Sequence, residues 1–221
     1  MLGAMVKRSA AMYDEASCSL SLPNPRRHKQ IARYEKSVVR YDIPGDVHAL
    51  TFSCFGRQEF LAKDRLRSWL TDAIDTARRE LAFDVWAYVL MPEHVHLLIY
   101  PRKATYSISN ILLAIKRPVA RHALSYVRRN APSFLRRMRD AQPNGRVAHR
   151  FWQRGGGYDR NLIDAKTIRK TIDYIHLNPI RRDLVERPED WYWSSAGHCV
   201  DGRSVPLVPG SDSLPPVDGN A

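Results

Sequence analysis

The stretch FDVWAYVLMPEHVHLLIY, residues 83–100, decides the fold. Residues 83–90 and 94–100 are two apolar runs rich in Val, Ile and aromatic side chains, the composition of strands. They are separated only by Met91-Pro92-Glu93, a short turn. Working outward, residues 47–55 (VHALTFSCF) read as an earlier strand. In residues 64–81 the positions Leu66, Trp69, Leu70, Ala73, Ile74 and Ala77 mark one face of a helix. On the far side, residues 108–129 carry a helical pattern that Pro118 is expected to kink or interrupt. The segment around Phe151 and Trp152 is a candidate fourth strand. Gly155, Gly156 and Gly157 read as a flexible joint before a last helix from about Asp164 to Leu177. This order predicts an α+β fold: a ferredoxin-like antiparallel sheet with helices packed on one face.

A chain of 221 residues with 44% hydrophobic content suits one folded domain with a substantial core, so charge is the informative quantity. The formal net charge of +12 calls for a polyanionic partner, because Lys and Arg neutralise phosphates and release counterions. The charge is also one-sided. No acidic residue lies between Glu93 and Asp140, and from that stretch Lys116, Arg117, Arg121, Arg128 and Arg129 are the candidate DNA phosphate contacts. Cys18, Cys54 and Cys199 form no C-x-x-C pair, which excludes a thiolate zinc site of that kind and gives no disulfide framework. No leader-like start and no apolar run of spanning length is present, so a cytoplasmic location without membrane contact is expected. Residues 1–40, basic at Arg26, Arg27, His28 and Lys29, and residues 201–221, rich in Pro, Gly and Ser, are expected to be poorly ordered arms flanking a domain over 41–200.

Two sets of residues carry chemistry. Along a strand, His94 and His96 project to the same face while Val95 turns away, and two adjacent imidazoles begin a divalent-metal site. In the last helix Ile168, Ile172 and Ile175 mark the buried stripe. Tyr174 and Asn178 stand one turn apart on another face, and Pro179 is expected to end the helix at Asn178. A phenol ionises only near pH 10 and needs an activated electrophile. A cation held by His94, His96 and the amide oxygen of Asn178 would polarise a scissile phosphate beside Tyr174, and attack would leave a phosphotyrosine and a free 3′-hydroxyl. Oxygen-rich ligation points to Mg²⁺ or Mn²⁺ ahead of zinc. Tyr158 is a rival nucleophile in a predicted loop, and Glu93 reads as a turn residue. His176 faces away from Tyr174, and Trp191, Tyr192 and Trp193 either stack on bases or close the core.

The blocks MPEHVHLLI, FWQRGGGYDRN and IDYIHLNPIRRDLVERPEDWYWSSA, in that order, resemble the REP-associated tyrosine transposases, relatives of the insertion-sequence-200-like transposases of the HUH-endonuclease class. The resemblance runs from about Val47 to Ala196. It implies a ferredoxin-like catalytic domain acting on hairpin-bearing single-stranded DNA, with His94 and His96 as metal ligands and Tyr174 as nucleophile. It also implies Asn178 where relatives place a Gln ligand, and a 5′-phosphotyrosine product. Two departures stand out: the triple glycine before Tyr158, and Arg182-Asp183 where the family commonly has a basic residue then glycine. The rival reading is a non-catalytic nucleic-acid-binding module displaying Phe52, Trp86 and Tyr88 on its sheet. A third is a domesticated enzyme that cuts without transposing. Whether the chain is a monomer or homodimer is left open.

Overall fold

A computed structural model describes residues 40–210 and 212–215. The arm expected over residues 1–40 therefore lies outside the described residues, save Arg40. Strand β1 (Val47–Ser53) leads to helix α1 (Asp64–Leu81), which a left-handed Ala82 ends at φ 56°. The chain then runs back through β2 (Phe83–Leu90) and β3 (His94–Pro101). Helix α2 (Ile108–Asn130) follows, then the short strands β4 (Arg139–Ala141) and β5 (Val147–His149), and finally β6 (Tyr158–Leu162). Beyond the sheet lie α3 (Ala165–His176), α4 (Asn178–Arg181) and α5 (Ala196–Asp201). The main sheet has the order β2-β3-β1-β6, all antiparallel; with α1 and α2 as crossovers this is the βαββαβ plan of a ferredoxin-like α+β fold.

The two sheet faces have separate cores. Leu50 and Phe52 of β1, Tyr88 and Leu90 of β2, and Val95, Leu97 and Ile99 of β3 pack against Leu70 and Ile74 of α1 and Ile111, Ile115 and Val119 of α2. Val47, Trp86, Val89 and Leu98 turn the other way and pack against Ile168 and Ile175 of α3. So α1 and α2 share one face, as expected, while α3 lies across the opposite one. The cause is the pleat: β3 is apolar on alternate residues in both registers, and a second layer is needed to bury the second register. A 12-residue helix such as α3 is marginal in isolation. Burying Ile168 and Ile175 stabilises it by roughly 3–6 kcal/mol.

Four further expectations are corrected. Phe151 and Trp152 form no named strand; Trp152 makes one bridge to Cys54, and the fourth strand is β6. Pro118 does not interrupt α2, whose buried stripe from Ile108 to Ala123 holds it across the forfeited hydrogen bond. Residues 201–215 are not a loose tail in their described part. The Gly210 N–H donates to the Val85 carbonyl, Leu207 is buried, and Trp86 Nε1 donates to Ser213 Oγ, which seals the β2 edge. The triple glycine is not a slack joint. A Cβ at Gly156 would sit within the guanidinium of Arg40, and one at Gly157 (φ 78°) would stand 2.1 Å from the Thr51 carbonyl oxygen. Among the described residues no helix is long and apolar enough to cross a membrane.

Gly157 is therefore the position where a single methyl matters most. Gly157→Ala is expected to lower unfolding free energy by about 2–4 kcal/mol, combining left-handed strain with a backbone collision. Urea denaturation measures it, and a loss below about 0.5 kcal/mol contradicts the packing described.

Candidate active site

His94 and His96 emerge on the α3 side of the sheet because Val95, Leu97 and Ile99 are committed to the other core. The β1–β3 register places Thr51 opposite His96, and Thr51 Oγ1 lies 2.8 Å from His96 Nδ1. Glu93 Oε1 accepts the His94 Nδ1–H at 3.0 Å and pairs with Arg182 at 2.5 Å. The remaining nitrogens, His94 Nε2 and His96 Nε2, face each other at 3.0 Å, with the rings almost perpendicular. Both imidazoles are buried, and burial holds them neutral. It pushes His96 down to about 4 and lowers His94 as well, where Glu93 partly opposes it and Arg57 and Arg182 add to it. Burial works to raise the Glu93 carboxyl, but Arg182 and His94 outweigh it and hold the group below the usual range.

The donor set fits a cation. With Glu93 taking the Nδ1–H of His94 and Thr51 taking that of His96, the two Nε2 lone pairs converge on one point. Two nitrogens each about 2.1 Å from an octahedral ion and at right angles stand about 3.0 Å apart. Glu93, which can only accept, fixes the metal-binding tautomer of His94, and the Thr51 hydroxyl can accept the Nδ1–H of His96 in the same way. Among the described residues no group of three or more His, Cys, Asp or Glu is arranged to hold a metal. The pair would thus leave positions for an amide oxygen, water or phosphate.

Helix α3 delivers Tyr174 to this pair. Its ring is 47% exposed and meets His96 edge-on, centroids 5.6 Å apart, while the Arg181 guanidinium covers it at 4.8 Å. The helix stops at His176, two residues before the expected end, and Asn178 opens α4. Buried Asn178 donates its Nδ2–H to the Tyr174 carbonyl at 2.7 Å, which leaves its amide oxygen as the free acceptor. Tyr174 and His96 line an open groove of about 610 Å³ with Arg57, Tyr158, Arg160 and Lys170 on its walls. Asp183 takes the left-handed conformation at φ 53°, where a glycine would rest without strain; the departure from the family pattern is accommodated in place.

Other expectations separate. Tyr158 is not in a loop: it is the first residue of β6, opposite Thr51, 56% exposed and on the same groove. Lys116, Arg117, Arg121, Arg128 and Arg129 belong to α2, across the sheet from the His pair. Lys116 is half-buried and donates to the Gly155 carbonyl, and burial pushes its ammonium down to about 8. His176 is buried and bonded to Ser195 Oγ, as its position opposite Tyr174 requires. Trp191 and Trp193 close the core, whereas Tyr192 stays exposed. Phe52, Trp86 and Tyr88 are 2%, 4% and 0% exposed, so the sheet displays none of them for base stacking. The sequence reading missed Thr51, Arg57, Arg181 and the Glu93–Arg182 pair. Only Glu93, next to the His pair, carried a local signal.

An antiparallel βαββαβ sheet with a histidine pair beside a solvent-facing helix tyrosine is the class of site described. No protein-family profile matches the chain. It is 27% identical over 152 residues to a protein of Haemophilus influenzae named as a REP-associated tyrosine transposase, covering 65% of this chain and 80% of that protein. It is 24% identical over 168 residues to the REP-associated tyrosine transposase of Escherichia coli, covering 76% and 87%. A solved REP-associated tyrosine transposase bound to a REP hairpin shares the fold, at TM-score 0.57 and 22% identity, over 83% of this chain and 90% of that one. The chain is thus a homologue of proteins named REP-associated tyrosine transposases, as its motifs suggested.

Burial of the imidazoles has a measurable consequence. Unfolded histidines titrate near 6.5, whereas His96 and His176 are pushed down to about 4 in the fold. The unfolded chain therefore binds more protons between those values, and stability is expected to fall as pH drops from about 6.5 towards 4. Denaturation midpoints at pH 7.5 and 5.0 test this. His176→Gln is expected to shrink the difference, and equal midpoints for the parent chain contradict it.

Proposed function

We propose that this chain is a metal-dependent endonuclease and strand transferase acting on hairpin-bearing single-stranded DNA, with Tyr174 as nucleophile. One observation carries the reading: the exposed Tyr174 ring stands edge-on to His96, one of a buried histidine pair, in a groove walled by cations. His94, His96 and the Asn178 amide oxygen would hold Mg²⁺ or Mn²⁺, which supplies Lewis-acid polarisation of the scissile phosphate. Arg57, Arg160 and Lys170 hold the flanking phosphates, and Arg181 lies over the phenol ring, placed to meet negative charge gathering at the reacting phosphate. The Tyr174 oxygen gives up its proton and bonds to phosphorus, the bond from phosphorus to the 3′ oxygen breaks, and the departing strand leaves as a 3′-hydroxyl. The 5′-phosphotyrosine retains the phosphodiester energy, so the reverse attack by a 3′-hydroxyl rejoins DNA. The open groove would admit an unpaired strand along Arg57, Arg160 and Lys170.

Incubating the protein with labelled hairpin DNA and Mg²⁺ or Mn²⁺ is expected to give a covalent adduct on denaturing gels. EDTA and Tyr174→Phe should each abolish it, whereas Tyr158→Phe should retain it. An adduct that survives Tyr174→Phe but not Tyr158→Phe moves the nucleophile to β6. Absence of any adduct across metals and hairpins sinks the reading.

Glu93 acts by positioning His94. Glu93→Gln keeps the size but weakens the hold on the Nδ1–H, and is expected to reduce Mn²⁺ affinity about 10–100-fold. Mn²⁺ binding followed by electron paramagnetic resonance reads this without DNA. Unchanged affinity would show that the carboxylate serves the turn alone.

A further inference from the structure

The βαββαβ plan needs one plain connection between α2 and β6. This chain instead makes an excursion there: a 3₁₀ helix (Pro132–Met138), β4 and β5 as an antiparallel pair, and a return through Phe151 and Trp152. Residues 132–154 contain six arginines and a single acid, Asp140. Their placement is sorted by type. Phe151, Trp152 and Met138 are buried and Phe134 packs against the core, whereas Arg136, Arg137, Arg139, Arg146 and Arg154 face solvent. Asp140 binds Arg150 and Arg154 together and ties the return strand to β4.

The excursion is also fastened to the loop after β1. Arg137 Nε donates to Gln58 Oε1 at 2.7 Å, Gln58 Nε2 donates to the Arg137 carbonyl at 2.6 Å, and the Gly56 N–H donates to Gln153 Oε1 at 3.0 Å. Between Gly56 and Gln58 sits Arg57, a wall of the Tyr174 groove. One short loop therefore links the groove to the arginine surface.

We propose that the excursion holds the base-paired stem of the substrate while the groove takes its unpaired strand. This rests on the reading that the chain acts on hairpin DNA, and the discriminating feature is aromatic content. Unpaired strands are held by stacking on exposed aromatic rings together with charge. The groove offers both, with Tyr174 and Tyr158 exposed beside Arg57 and Arg160. The excursion exposes its arginines, whereas its aromatic side chains Phe134, Phe151 and Trp152 are turned at least partly into the core. Charge without stacking suits a duplex, which hides its bases and presents the phosphates of two strands at high density.

The test uses the full chain carrying Tyr174→Phe, so that binding is not trapped covalently, with and without Arg136→Gln, Arg139→Gln and Arg146→Gln together. Affinity is measured against salt for a stem-bearing hairpin oligonucleotide and for an unpaired oligonucleotide of equal length. The log–log slope for the hairpin is expected to shrink by about 2.7, which is three duplex phosphate contacts at about 0.9 each, while the slope for the unpaired strand stays the same. An unchanged hairpin slope overturns the proposal, as do equal losses on both probes, which would mark a general polyanion surface. The three arginines are exposed and enter no ion pair among the described residues, so the unfolding midpoint should not move. Adduct formation by the Tyr174 chain is scored separately. If it is absent while the hairpin-specific slope change is present, the catalytic reading fails and the stem surface stands.

Discussion

The antiparallel pairing of β1 with β3 is the constraint on which the site depends. It puts Thr51 beside His96 and turns Val95, Leu97 and Ile99 into the main core, so the two imidazoles are driven to the opposite face. A slip of one residue would exchange the faces, burying the histidines under α1 and α2 and presenting valine and leucine to the groove. The register is protected from both sides. Gly157 lets the β6 approach lie directly on the Thr51 carbonyl, and the β2 edge is sealed by the chain segments that follow α3.

The electrostatics of the site rest on a contrast between depths. The histidines are buried deeply enough to stay uncharged, which keeps lone pairs available at neutral pH. The arginines and lysine around them lie at the rim, where a phosphate can reach them and where their desolvation costs little. Glu93 bridges the two levels, with one oxygen shared between His94 and Arg182. Its other oxygen is buried and without a partner. An uncompensated carboxylate oxygen in that position is tolerated because two cations or donors already serve its neighbour.

Much of the architecture was legible in the chain. The strands β2 and β3 and the helix α1 announced themselves through unbroken periodicity, and the βαββαβ order followed from them. The fourth strand was misplaced because Phe151 and Trp152 look like strand residues. The residues that pair with β1, YDRNL, look polar, since one side of that edge faces solvent. The opposite-face position of α3 is implicit in the histidine alternation, but apolar periodicity says only that a helix packs, not which side of a sheet receives it. Within the site, His94, His96, Tyr174 and Asn178 could be singled out by residue type and spacing. Thr51 and Arg57 could not, because their nearness to His96 and the groove depends on strand pairing across dozens of residues. The glycine triplet misled for a physical reason: glycine marks both slack and close approach, and only the neighbouring atoms distinguish them.

The division into two cores also sets a mechanical hierarchy. His94 and His96 are anchored in strands backed by the large core, while Tyr174 stands on a helix that buries Ile168 and Ile175 against a patch of seven buried residues. Partial detachment of that helix would uncover far less apolar surface than any rearrangement of the sheet, so the softest layer of the molecule is the one that bears the phenol. A DNA end joined to that ring would travel with the most compliant part of the protein, while the imidazole cradle kept its shape.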